Sequence, residues 1–227
     1  SQLLQNLPPD TGMAYFYLQH LSPDHTSNLP QLLAAHSQLK VIEAKSAIKV
    51  KANHLYVCTP NKEITIIDGS IKLLPRESAK LPYLPIDTFF KMIARQYGNR
   101  AIGIVLSGNA TDGTRGLKEI KEKGGITFVQ DGSAKYSSMP TSALKGSPVD
   151  YVLQPVLIAR TLARLGRRGL TEPGSRHNAL EIRIEDDDPA LGTIFRTLLK
   201  QTGVDFSHYK LSTIKRRLNY RMINCGI

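Results

Sequence analysis

Two hydrophobic periods alternate along this chain. Ile102, Ile104, Val105 and Leu106 form a short apolar run, the pattern of a strand buried on both faces. After the turn Ser107-Gly108-Asn109-Ala110-Thr111-Asp112-Gly113 the period lengthens, and a helix is predicted over residues 114–123. Gly124-Gly125 stops it, and Ile126, Phe128 and Val129 supply the next strand. This is a βαβ unit. Asp112 stands in the crevice past a strand's carboxyl end, where open parallel sheets place their ligands.

The same alternation runs through the first 165 residues. Residues 13–18 read as a buried strand ending at Gln19-His20, and residues 29–36 as a short helix. Short strands follow at 40–43, 55–59 and 64–67, and residues 72–85 read as a loop. Residues 86–97 give an amphipathic helix with Phe89, Phe90, Ile93 and Ala94 on its stripe and Asp87 as its cap. A small helix at 139–144, a strand at 149–153 and a closing helix at 156–165 complete the pattern. The expected fold is α/β: a doubly wound, mostly parallel, Rossmann-like sheet with helices on both faces. Residues 166–184 are polar and rich in breakers, a linker pattern. Asp186-Asp187-Asp188-Pro189 then starts a helix carrying Leu191, Ile194, Phe195, Leu198 and Leu199, which Gly203 ends. A further helix at 211–223 is basic on one face, so a short all-α segment follows the sheet domain.

At 227 residues the chain has room for one sizeable core plus a smaller piece. No apolar run approaches the roughly 20 residues needed to span a bilayer, and the start lacks a signal-peptide layout. It opens inside a helical pattern (Leu3, Leu4, Leu7), as expected of a piece cut from something longer. Cys58 and Cys225 stand far apart with no CxxC or CxxH neighbourhood, which fits a reducing, cytoplasmic setting and not a metal site. The net charge of +11 raises the question of nucleic acid. Much of that charge lies beyond residue 159, however, with no helix-turn-helix, zinc-finger or aromatic-interleaved basic pattern, so an acidic protein partner suits it equally well.

Two residues carry candidate chemistry. His20 follows a buried strand directly, at the sheet edge expected for Asp112, and a histidine acting as base needs an acceptor for its other ring nitrogen. Spacing alone favours plainer readings: a strand-end histidine, and an aspartate capping the helix that Gly113 opens. For His25, His36 and His54 solvated loop or turn positions are the default expectation, and His20 with His25 lacks a third ligand. The glycines form neither a GxGxxG nor a P-loop, having no Lys-Ser/Thr behind them.

LQHLSPDH, LPIDTFF, IVLSGNATDGTRGLKEIKEKGG, VQD, MPTSA and VDYVL, in this order over residues 1–160, resemble the catalytic domain of the chemotaxis receptor methylesterases, the CheB family. The resemblance implies hydrolysis of glutamate methyl esters, and often glutamine deamidation, on receptors by a Ser-His-Asp triad without a cofactor. By motif, His20 matches the family's histidine and Asp112 the aspartate of its SGxxxDG turn. The family's nucleophile sits in a GxSxGG turn between first strand and first helix. SQLLQNLPPDTGM resembles the family's sequence beyond that turn, Ser1 falls inside the helix, and Ser107 occupies no such turn. The first strand and nucleophile turn are therefore expected upstream, and these 227 residues alone are expected to hydrolyse little. Asn109 also departs from the family, which often has a bulkier residue there.

LGTIFRTLLKQTGVDFSHYKLSTIKRRLNYRMI resembles the opening helical domain of the receptor methyltransferases, the CheR family. The resemblance implies an S-adenosylmethionine domain beyond, and a basic helix facing the receptor's acidic methylation region. Lys215, Arg216, Arg217 and Arg221 are its candidates by position; a solvated helix face is the alternative. The expected organisation is a methylesterase domain at 1–165, a linker at 166–184 and the start of a methyltransferase all-α domain at 185–227, as in fused hybrid two-component proteins. The competing expectation is an inactive regulatory or docking module on the same fold.

Overall fold

The computed structural model describes residues 2–19, 28–58, 62–75, 83–167 and 189–203, with Asp205, Leu211 and Ile214. Two compact units divide the chain, residues 1–171 and 172–227.

The first unit opens with helix α1 (Gln2–Asn6), strand β1 (Tyr15–Tyr17), helix α2 (Leu29–Ala34) and strands β2 (Lys40–Glu43) and β3 (His54–Val57). β3 is central and parallel to both neighbours, with Phe16 and Ile42 in register with Tyr56. β4 (Lys62–Ile67) and β5 (Ser70–Pro75) form an antiparallel hairpin. Its two-residue turn, Asp68-Gly69, has φ of 49° and 70°, the left-handed pair that matches strand twist in tight hairpins. The expected loop over 72–85 is thus corrected: Lys72–Pro75 belong to β5. Asp-Gly between apolar strands was the signal for it.

Helix α3 (Pro85–Tyr97) leads through a 3₁₀ turn to β6 (Ile102–Val105), helix α4 (Thr114–Glu122), β7 (Ile126–Gln130), helix α5 (Ser138–Gly146), β8 (Tyr151–Leu153) and helix α6 (Pro155–Arg167). β6, β7 and β8 form a second parallel sheet with β7 central. β7 is buried at every position from Thr127 to Gln130, including its two polar residues. At its entrance Asp150 accepts the Thr127 amide and hydroxyl, both at 2.9 Å, and pairs with Lys121. Val105, Leu117, Ile120 and Val129 share one core cluster with Tyr56, Ile64, Ile71, Phe89 and Phe90. Each such buried side chain contributes about 1.5–3 kcal/mol relative to exposure.

α3 and α4 pack closely. A Cβ on Gly116 would stand 2.4 Å from the Phe90 Cβ and 3.2 Å from the Asp87 backbone, so the first turn of α4 comes this near only as glycine. The α/β architecture with mostly parallel strands is as expected, β1 being shorter than its apolar run. Gly166 and Arg167, read as linker, close α6.

In the second unit α7 spans Pro189–Thr202, and Gly203, at φ 70°, returns its amide to the Leu199 carbonyl at 2.9 Å. The basic helix expected at 211–223 lies outside the described residues except for Leu211 and Ile214, both helical. No helix among the described residues is long and apolar enough to cross a membrane.

Candidate active site

The turn after β6 is built from both sides. Ser107 donates its amide to Gln130 Oε1 at 2.9 Å, and its Oγ accepts the Tyr136 amide at 2.9 Å. Gly108 exchanges backbone bonds with Tyr136 and Met139, and Ser138 Oγ donates to the Ala110 carbonyl at 3.1 Å. The chain pivots at Ala110, whose φ of 80° is costly for a residue with a Cβ. Gly113 follows at φ 92° as the N-cap of α4. Gln130 and Ser138 were not singled out from sequence; the only trace of either was the VQD motif. The Ser107 hydroxyl is thus bound to this scaffold.

Asp112 is 1 % exposed. Its Oδ1 accepts the amides of Asp87 and Gly113 at 2.8 and 2.9 Å, and its Oδ2 accepts the Ile86 amide at 2.9 Å. The simple reading of Asp112 as a cap on α4 is corrected by these bonds. It caps α3, a helix that begins 27 residues earlier in sequence. Pro85, the first residue of α3, has no N–H, so Ile86 and Asp87 present the helix's first orphan donors, and Asp112 takes both. The positive end of the α3 dipole favours a carboxylate there. A carboxylate accepts at both oxygens, so an imidazole N–H is a chemically suitable partner for this group.

Asp87 is not the cap of α3 that its position suggested. It is the third residue inside the helix and 3 % exposed, and its Oδ1 accepts the Gly116 amide at 2.7 Å in the first turn of α4. Each aspartate therefore serves the other's helix. Burial pushes the Asp87 pKa up and the Asp112 charge adds to this, while the Gly116 amide, Lys91 and the Gly113 amide oppose it.

His20 lies outside the described residues, as do Lys215, Arg216, Arg217 and Arg221. Its strand is described. β1 runs parallel to β3, the Tyr17 carbonyl accepts the Cys58 amide at 3.0 Å, and Phe16 packs on Phe89 of α3 with ring centroids 5.1 Å apart. The helix whose first turn is capped by Asp112 therefore also touches the strand that leads to His20. Among the described residues no group of three His, Cys, Asp or Glu side chains is placed to hold a metal ion.

Two family models match successive stretches of the chain. The family model for CheB methylesterase matches residues 1–162, and that for the CheR methyltransferase all-alpha domain matches residues 189–227. A Leptospira interrogans protein, provisionally named a protein-glutamate methylesterase/protein-glutamine glutaminase, is 31 % identical over 75 % of this chain and 89 % of its own length. An Anaeromyxobacter dehalogenans protein-glutamate methylesterase/protein-glutamine glutaminase is 32 % identical over 73 % of this chain and 49 % of its own. An uncharacterized 104.1 kDa protein of Rhodobacter capsulatus is 31 % identical over 86 % of the chain, which spans only 22 % of that protein. The crystal structure of the Thermotoga maritima CheB methylesterase catalytic domain superposes with a TM-score of 0.66 at 27 % identity, covering 72 % of this chain and 89 % of that one. Residues 1–162 of this chain belong to the CheB methylesterase family, and a CheR-type all-α segment follows them.

Proposed function

We propose that this chain carries the His-Asp half of a Ser-His-Asp methylesterase that hydrolyses glutamate methyl esters, and deamidates glutamines, on an acidic helical receptor in the cytoplasm. The observation that carries the reading is the buried Asp112 carboxylate, fixed by three backbone donors in the turn after β6. Reach supports it. His20 is four residues beyond Phe16, at most about 14 Å of extended chain, and Phe16 touches α3 one turn from the end that Asp112 caps.

In this mechanism a serine from a GxSxGG turn upstream of residue 1 attacks the ester carbonyl while His20 takes its proton. Asp112 holds the His20 tautomer and stabilises the imidazolium. The tetrahedral intermediate collapses, His20 protonates the leaving methoxide to methanol, and water, activated by His20, hydrolyses the acyl-enzyme. No cofactor takes part. S-adenosylmethionine belongs to the methyltransferase catalysis with which a CheR-type segment is associated. We place the methylesterase domain at 1–165 with its last helix running on to Arg167, the linker over the remainder of 166–184 and the methyltransferase all-α start at 185–227. Lys215, Arg216, Arg217 and Arg221 are its receptor-facing candidates.

The test is methanol release from a methylated receptor peptide, by the 227-residue chain and by a version extended upstream through the serine turn. Release by the extended version, abolished when its serine becomes alanine, is expected, with the shorter chain near background. An extended version as silent as the short one would instead favour a docking module, a reading that the lack of a GxSxGG turn within residues 1–227 keeps in contention.

A further inference from the structure

Asp87 takes no part in the chemistry above, yet it is a second buried carboxylate beside Asp112, and a fold does not place two such charges together without cost. Its bonds run in two directions. Through its main chain it donates to Asp112 Oδ1 at 2.8 Å, and through its side chain it accepts from Gly116 at 2.7 Å. Asp112 and Gly116 bracket the five residues by which the β6 turn enters α4. The first turn of α3 therefore grips both ends of that segment, one by an amide and one by a carboxylate. The close approach at Gly116 leaves no room for a Cβ, so the grip is direct.

We propose that Asp87 is a positioning residue for Asp112, locking the α4 entrance so that the Asp112 carboxylate keeps one orientation toward the general base. This rests on the role for Asp112 given above. An error of about 1 Å in such a support can cost about 100-fold in rate.

The test pairs two readouts. In the upstream-extended protein, Asp87→Ala is expected to lower kcat for ester hydrolysis about 10- to 100-fold with KM within about twofold. Asp87→Asn, whose Oδ1 can still accept the Gly116 amide, should restore most of the loss. Asp87→Glu, which keeps the acid but moves it by one methylene, should again lower kcat, and serves if the alanine variant does not fold. In the 227-residue chain, amide hydrogen exchange reads the lock without any hydrolysis: protection of Ile86 and Gly113 should fall in Asp87→Ala and persist in Asp87→Asn. Unchanged protection in Asp87→Ala, unchanged kcat, or a loss confined to KM would overturn the proposal. If the extended wild type releases no methanol, the esterase reading fails and the exchange measurement still decides whether Asp87 positions Asp112.

Discussion

Replacing Asp112 by alanine removes one side chain and strands three buried amides. Ile86, Asp87 and Gly113 all donate to this carboxylate at 2.8–2.9 Å. A buried donor left without its acceptor costs about 1–3 kcal/mol, and loss of a helix N-cap costs about 0.5–2 kcal/mol. Ile86 and Asp87 share one helix end, and a water entering the vacated space recovers part of the loss, so the three do not add in full. The expected cost of Asp112→Ala is about 3–5 kcal/mol, a large share of the roughly 5–15 kcal/mol by which a domain is ordinarily stable. Asp112→Asn separates the two oxygens. If its Oδ1 keeps Asp87 and Gly113, its Nδ2 faces the Ile86 N–H donor to donor, a cost of about 1–3 kcal/mol. Urea unfolding followed by far-ultraviolet circular dichroism should show both midpoints falling in that order at constant m. An alanine variant within about 1 kcal/mol of wild type, or an asparagine variant worse than alanine, would refute the three-donor account.

Ala110 sits at φ 80° in the same turn, so Ala110→Gly should raise stability by about 0.5–1 kcal/mol in the same unfolding assay; a loss would mean that the turn does not hold this strain. The Asp87 carboxyl is held above its ordinary value by burial, with Asp112 adding to the effect. A raised acid binds its proton more readily in the folded state, so its contribution to stability is present at low pH and fades as pH climbs from the usual aspartate range to the raised value. Asp87→Asn should therefore gain on wild type as pH rises through that window; urea midpoints at several pH values check this, and a parallel pair of curves would contradict it. Burial pushes the Cys58 thiol up to about 12. In a Cys225→Ser background at about pH 8, iodoacetamide should alkylate Cys58 orders of magnitude more slowly than glutathione, because the thiolate is the reacting form; comparable rates would show Cys58 to be accessible.

The βαβ unit at residues 102–130 was the most legible part of the chain, because a continuous apolar run, a glycine-bounded helix and a second run each obey a single period. The β5 strand was missed because Ile71, Leu73 and Leu74 lie among polar residues, and the Asp68-Gly69 turn that sets their register went unused. Asp87 and Asp112 show a different limit. Composition marks an aspartate near a helix start as a cap, but which helix it caps is decided by the α3–α4 crossing, and two residues 25 apart in sequence exchange roles there. The role of Gln130 was not legible for a related reason: a buried amide that braces a neighbouring turn has no periodic signature.

The most direct examination of the catalytic pair is nitrogen-15 NMR of the His20 ring in the upstream-extended protein, compared with its Asp112→Ala variant. A neutral imidazole held with its proton on Nδ1, bonded to the Asp112 carboxylate, is the result expected of wild type, with that preference lost in the variant. A His20 whose tautomer balance is the same in both proteins would contradict the pairing, and the esterase mechanism with it.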